Sequence, residues 1–420
     1  MTRQSRPGPV FAIAIGAGIA SFAMNFWIPF LPLFAKELGA TSDANALFWV
    51  GLATAGLGMG RLVSGPFWGI LSDRYGRRLM FIRALVFASG TTAIAALATE
   101  PWHLAVAFAC QGLFSGFIPA AVALTSVTVS DERLNPALGL VTGAQYLGTT
   151  VGPAVGAALV IVLSMRGAII AAAIMPVLAA ILVIFLVPRD EVRRKSPPVA
   201  VAEDDGEGES ETSRGVSEPA TVSFWRLIGP QFFLALFFYF FLFGTTQLIR
   251  LATPLALADL EVGGDVEGLV GVAFTLAGVA SMVGVIYFGR KYFTPGRFRL
   301  MLGLGCAATA GAHVLLAASP GVVTFIACFS LISLLQAAML PASNTLIASN
   351  VPRERRGTAF GIAGSAQALA FIVGPMAAAW FAAISMTLGW LVLGVLFLLV
   401  GALLMVWLRE PALDARQSPA

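Results

Sequence analysis

The chain has 420 residues, 58% of them hydrophobic and only 11% charged, with a formal net charge of +4. Soluble domains carry about 25% charged residues, so a chain this apolar meets lipid over most of its surface and a soluble globular class is excluded. A surplus of positive charge in such a chain reports membrane topology rather than nucleic-acid binding.

Each spanning helix needs roughly 20 mostly apolar residues and must satisfy its own backbone in lipid. The period-two alternation of a barrel is absent, which leaves an all-α polytopic bundle. Hydropathy and punctuation predict twelve spans, near 10–35, 47–71, 79–98, 102–129, 137–163, 167–187, 227–257, 267–289, 300–318, 321–349, 357–383 and 386–408. The first span, led by Arg3 and Arg6, is too long and too polar for a cleaved signal. With both termini on one side, only Lys36 and Arg166 of the 26 lysines and arginines fall on the other side, and only Arg61 and Arg250 fall inside spans. The positive-inside rule then makes both termini cytoplasmic, in an inner membrane.

Span 1 carries Asn25 and Trp27, and span 2 carries Arg61 near its middle. Ionisable groups inside a span are costly and default to functional candidates. Arg61 either lines a cavity or pairs with backbone carbonyls; cavity lining is the reading adopted.

Span 2 runs into Gly69-Ile70-Leu71-Ser72-Asp73-Arg74-Tyr75-Gly76-Arg77-Arg78, a short charged hairpin before span 3. This stretch resembles the signature loop between helices 2 and 3 of the major facilitator superfamily. The resemblance implies two six-helix bundles related by a pseudo-twofold axis and transport by alternating access. It also implies a gating role for Gly69, Asp73, Arg74, Gly76, Arg77 and Arg78. A helix C-terminus repels an aspartate, so Asp73 needs an outside partner, and the resemblance supplies the N-terminus of span 11. The bland alternative is anchoring to anionic headgroups, for which the aspartate and the glycines would not be needed.

Span 4 reads Phe108-Ala109-Cys110-Gln111-Gly112, where the superfamily's exporters usually carry Arg-x-x-Gln-Gly; phenylalanine stands in place of the arginine linked to proton coupling. Span 5 carries Gly139, Gly143, Gly148, Gly152-Pro153 and Gly156, similar to the Gly-Pro motif of the drug/metabolite:proton antiporter branch. Small residues let helices approach closely, so Gly148, Gly152, Pro153 and Gly156, with Gly374 and Pro375 in span 11, are expected at helix interfaces. Span 5 is expected to pack across the seam between the two halves.

The stretch 188–222 breaks the hydropathy and carries Glu203, Asp204, Asp205, Glu207, Glu209 and Glu211, the composition of a disordered linker. It separates a bundle at 1–187 from one at 223–410, with a tail at 411–420. The halves repeat at a constant offset of 222 residues: Pro32 with Pro254, Pro119 with Pro341, Glu132-Arg133 with Glu354-Arg355, and Gly152-Pro153 with Gly374-Pro375. Polar positions obey the offset, Asn25 with Gln247 and Gln145 with Gln367. These four amides, with Arg61 and Arg250, are the candidate solute-binding set; Trp27, Tyr146, Gln111 and Asn344 rank behind them. Arg250 could equally pair with Asp259 or reach the interface. The second half's loop at Arg290, Lys291 and Arg297 has no acid, so the gate is expected to be one-sided.

Cys110, Cys306 and Cys328 have neither metal-ligand nor disulfide spacing. His103 is expected at the interface and His313 in a core. No cofactor, metal or nucleotide-binding loop is expected, and the chain is read as a monomeric transporter, not an enzyme. Lacking a deep carboxylate but having buried arginines and amides, it is expected to move a neutral, zwitterionic or anionic small solute, most simply by proton-driven export. Uptake, lipid flipping on the same fold, and a non-transporting sensor are the alternatives.

Overall fold

The computed structural model describes residues 8–129, 131–188, 229–260, 265–294, 296–351 and 356–410. Every element among them is helical. Eleven helices are long and apolar enough to cross a membrane. One of them belongs to Asp131–Leu186, which at 56 residues and 1.5 Å per residue is about 84 Å long. The hydrocarbon core is about 30 Å thick, so this helix supplies two crossings. It turns at Ser164, whose backbone leaves the helical region (φ 64°, ψ 169°). Spans 5 and 6 therefore meet at Ser164, and the bundle has twelve crossings.

The other spans follow the expected order: Gly8–Asn25 continued by Leu31–Glu37 for span 1, then Asp43–Tyr75, Arg77–Ala96, and Pro101–Phe114 with Phe117–Thr128 for span 4. From Pro230 onward come Pro230–Leu260, Val266–Val283 prolonged by a π-helical turn at Gly284–Phe288, Phe298–Ala317, Val322–Ser349, Arg356–Ile384 and Met386–Trp407. The side where span 1 begins and the Gly76 hairpin lies is called proximal here, the other distal. Gly76 ends span 2 with φ 97°, a region closed to most side chains.

The 222-residue repeat is physical as well as textual. Gly152 on span 5 lies against the Phe22 carbonyl on span 1, and Gly374 on span 11 lies against the Gly244 carbonyl on span 7. Both partners of the second pair are displaced by 222 from the first. The two halves meet along two seams. Gly51 and Gly58 of span 2 lie against Pro375 and Ala368 of span 11, and Gly271 of span 8 lies against Ala157 of span 5.

The core differs between the two ends. One continuous apolar cluster fills the distal end and takes residues from both halves: Phe26, Phe30 and Phe34, Leu47 and Val50, Leu251 and Leu255, Phe274 and Phe381. The proximal end has two separate clusters. One holds Ile13, Phe81, Phe117 and Val183; the other holds Phe238, Phe298, Leu346 and Phe397. Among the described residues no proximal cluster joins the halves, and the core they share lies at the distal end.

Candidate functional site

Arg61 marks where the shared distal core ends on span 2. Val50, Thr54, Leu57 and Arg61 recur at intervals of four, three and four residues, which places them on one face of span 2. Val50 and Thr54 are buried, Leu57 is half-buried and Arg61 is exposed. The same stripe of helix thus passes from core to open space at Arg61. Among the described residues Arg61 has no hydrogen-bond or ion-pair partner, and neither does Arg250, which is half-buried on span 7. The expected pair of Arg250 with Asp259 is not formed. The charges acting on Asp259 are those of Asp43, which repels it, and Lys36, which attracts it.

The amides gather at the span 1–span 5 crossing and its repeat. Asn25 donates from Nδ2 to the Ser21 carbonyl (2.8 Å) and to Thr149 Oγ1 (3.5 Å). Thr149 donates in turn to the Gln145 carbonyl (2.9 Å). Gln145 Nε2 is buried with no hydrogen-bond partner among the described residues. On the other half Gln247 is buried beside Gly374, and Gln367 is half-buried two turns earlier on the same face of span 11. Asn25 is thus linked through Thr149 to the Gln145 backbone, and Gln247 sits at the equivalent crossing, two turns from Gln367 on span 11.

The second-rank polar residues divide differently. Gln111 is buried and donates to Met24 Sδ (2.6 Å). Trp27 is fully buried with its ring edge-on to Phe108 at 5.6 Å. The side chain that replaces the expected arginine of span 4 is therefore part of an apolar wall. Asn344 is half-buried. His313 is fully buried in the C-terminal half, its Nδ1 on the Thr309 carbonyl at 2.8 Å and its ring stacked on Phe397. His103 Nδ1 accepts from the Thr99 and Glu100 backbone (3.1 Å each) and caps the start of span 4.

The span 5 glycines correct one expectation. Gly148, Gly152 and Gly156 pack on Gly18, Phe22 and Phe26 of span 1, within one half, rather than across the seam. Gly374 likewise packs on span 7. The seams use other small residues, Gly51, Gly58 and Gly271, together with Pro375. Pro153 is buried in span 5. Crossing within a bundle needs backbone approach over several turns, and only a row of glycines permits that; the seam needs it at single points.

At the hairpin, Arg77 donates from Nη1 to the Ala123 carbonyl (3.2 Å) and Ser126 Oγ (2.9 Å) on span 4, and Arg78 donates to the Ile184 carbonyl on span 6. Arg74 is exposed beside Tyr75. The surroundings of Gly69 and the side chains of Asp73, of the neighbouring acids Asp131 and Glu132, and of Tyr146 lie outside the described residues, as does the stretch 189–228. The second half does have an acid at its proximal loop, and it comes from beyond span 12. Glu410 accepts from the backbone N–H groups of Gly296 (3.1 Å), Phe298 (3.2 Å) and Arg299 (2.7 Å), capping the start of span 9. The composition of the loop itself gives no sign of it.

Arg83 was missed too. It lies one and a half turns inside span 3 and bonds to span 4 where that helix is interrupted. Counting it with the proximal hairpin hid a third intramembrane arginine; its place four residues inside the predicted span 79–98 is the signal that would have found it. At the distal rim, Glu37, Ser164, Arg166, Asp265 and Glu267 line a cleft of about 450 Å³ between the halves. No group of three or more metal-ligating side chains occurs among the described residues.

The profile of the Major Facilitator Superfamily matches residues 13–323 and 296–420. Multidrug resistance protein MdtG of Proteus mirabilis is 25% identical over 89% of this chain and 89% of its own length. MdtG of Yersinia enterocolitica is 26% identical over 87% and 84%. Among solved structures, a bacterial homologue of the human lysosomal transporter Spinster, inward-facing and occupied, superposes with a TM-score of 0.71 at 15% identity, covering 100% of both chains. The human organic anion transporter MFSD10 superposes with a TM-score of 0.63 at 19% identity, over 95% of this chain and 100% of that one. With a duplicated six-helix unit, a core shared by both halves at the distal end and a family profile along nearly its whole length, the chain is a multi-pass membrane transporter belonging to the Major Facilitator Superfamily.

Proposed function

We propose that this chain exports a small organic solute from the cytoplasm by alternating access, driven by protons, in a bacterial inner membrane. The observation that carries the reading is Arg61, exposed and without a hydrogen-bond or ion-pair partner among the described residues, where the shared distal core ends on span 2. A charged group left unsatisfied at that depth is expensive, and a solute entering from the proximal side would meet it first. With the termini and the hairpin cytoplasmic, as the arginine distribution argues, the end away from the shared core faces inward and is read as the open mouth. The chain then divides into bundles at 1–187 and 223–410 around a linker at 188–222.

Arg61, Arg250 and the amides Asn25, Gln145, Gln247 and Gln367 form the binding set in this reading. Arginines and amide N–H groups are donors, and no Asp or Glu lies deep in a span. Such a set favours neutral, zwitterionic or anionic solutes over cations. Export, rather than uptake, draws on the MdtG relatives, whose printed name is multidrug resistance. Asp73 is the proximal latch. It closes on the N-terminus of span 11 when the halves rock back, and Arg74, Arg77 and Arg78 hold the hairpin, with Gly69 and Gly76 shaping it. Protons supply the drive, with Asp73, Glu37 and Asp259 as the acids open to titration.

The test is survival of a deletion strain, with and without the gene, across antibiotics, siderophores and sugars. Protection should be lost in Asp73→Asn and narrowed in Arg61→Gln. Protection retained in Asp73→Asn removes the latch. A substrate range made only of lipophilic cations, indifferent to Arg61→Gln, removes the binding site as drawn.

A further inference from the structure

Span 4 is broken inside the membrane. Its distal piece ends at Phe114 and its proximal piece begins at Phe117, while Ser115 (φ −81°, ψ −99°) and Gly116 (φ 69°, ψ 36°) leave the helical path. Such a break strands the last carbonyls of the distal piece, at a cost of several kcal/mol per group in lipid. Four consecutive carbonyls are instead answered by side chains from two other helices. Ser64 of span 2 donates to the Gly112 carbonyl (3.1 Å), and Trp68 Nε1 donates to that of Leu113 (2.6 Å). Arg83 of span 3 bridges the next two, Nη1 to Phe114 (2.6 Å) and Nη2 to Ser115 (3.2 Å). Its guanidinium carbon lies 3.5 Å from the centre of the Trp68 ring, so the ring forms the floor of the site.

We propose that this interruption is a guanidinium-binding site, filled from within by Arg83, which acts as a positioning residue of the transport cycle. The C-terminal end of a helix carries about half a negative charge, and unwound carbonyls with half-helix ends are where transporters of broken-helix design hold cations. Here a tethered cation takes that place. The planar fork bridges two carbonyls and stacks on an aromatic face at once; a lysine ammonium can do only part of this.

The site matters to the cycle because the proximal piece of span 4 is held at both ends by arginines. Arg77 of the hairpin grips it at Ala123 and Ser126, and the Arg83 clamp fixes the joint at Gly116. Phe117–Thr128 is thus a short rigid bar articulated between the joint and the hairpin. Arg83 keeps the joint's carbonyls satisfied while that bar moves. The inference is independent of the solute's identity.

The experiment compares purified wild type, Arg83→Ala and Arg83→Lys, with methylguanidinium chloride at tens of millimolar or an equal concentration of sodium chloride. Two quantities are read: the melting temperature, and the distance between spin labels at Pro188→Cys and Lys291→Cys on the proximal ends of the two halves. Arg83→Ala should melt below wild type and broaden the distance distribution. Methylguanidinium should restore both in Arg83→Ala and change neither in wild type, whose site is already full, because a ligand raises the melting temperature only of a protein with room for it. Sodium should restore nothing, and Arg83→Lys should fall between. Arg83→Ala that can be purified only with methylguanidinium present also supports the site. The proposal is overturned if Arg83→Ala behaves as wild type. It is equally overturned if methylguanidinium shifts both proteins alike or fails to restore the variant, or if the variant cannot be recovered under either condition.

Discussion

Gly374 lies so close to the carbonyl of Gly244 that a Cβ built on it would sit 2.5 Å from that oxygen; at the matching crossing in the other half, a Cβ on Gly152 would sit 3.2 Å from the Phe22 oxygen. The two positions share a register, but the approach at Gly374 is closer than that at Gly152. The first distance demands a backbone shift, whereas the second needs a few tenths of an ångström. Gly374→Ala should therefore cost about 1–3 kcal/mol, the usual range for overpacking, and Gly152→Ala clearly less. Thermal melting of the two purified variants checks this, and equal losses would show that the crossings relax alike.

The distal seal makes a cross-linking prediction. A Cβ on Gly58 would lie 3.2 Å from the Ala368 carbonyl, across the span 2–span 11 seam. With Cys110, Cys306 and Cys328 replaced, Gly58→Cys paired with Ala368→Cys should oxidise readily and hold the proximal mouth open. Transport should stop on oxidation and return on reduction. Efficient cross-linking with unchanged transport would mean that this seam does not separate during the cycle.

Glu410 ties the end of the chain's last span to the start of span 9 through three backbone N–H groups. Hydrogen bonds to a charged group contribute about 1.5–3 kcal/mol each in the strongest cases, and a lost cap typically costs about 1 kcal/mol. Glu410→Ala should cost about 1–3 kcal/mol because the site is exposed and water can replace part of what is lost. Glu410→Gln should retain about half, since its amide oxygen can still accept. Denaturation of the two variants orders them.

Much of this was legible in the sequence for physical reasons. Lipid imposes a length and an apolar composition on every span, so the number and order of helices could be read from hydropathy, and a 222-residue offset named the halves. The Gly76 turn was legible because its conformation suits glycine. What was hidden depends on three-dimensional neighbours. Four consecutive glycine-rich turns in span 5 say that something packs closely there, but not which helix, and the seam was the wrong choice. Phe108 could be recognised as an absent arginine, but its edge-on contact with Trp27 belongs to the fold. Glu410 caps a helix more than 110 residues away in sequence, and Arg83 answers carbonyls exposed by a break whose only sequence marks are Ser115 and Gly116.

The distal rim supplies the last prediction. Glu37 belongs to one half and Glu267 to the other, both lining the cleft between them. The charges acting on Glu37 are the repulsion of Glu267 and the attraction of Arg166. Closing the distal mouth brings the two carboxylates together, so their repulsion opposes the sealed state and Arg166 offsets it. Glu267→Gln removes the repulsion and should favour the distally sealed, proximally open form. Arg166→Gln removes the counter-charge and should favour the opposite form. Exposed charge pairs contribute about 0.2–1 kcal/mol, which amounts to no more than about a fivefold change in the ratio of the two forms. Labels at Pro188→Cys and Lys291→Cys read the ratio: the long-distance population should grow in Glu267→Gln and shrink in Arg166→Gln. High salt should bring both variants toward wild type, since screening weakens exposed pairs. Shifts of the same sign in the two variants would mean that packing around Ser164, rather than charge, governs the rim.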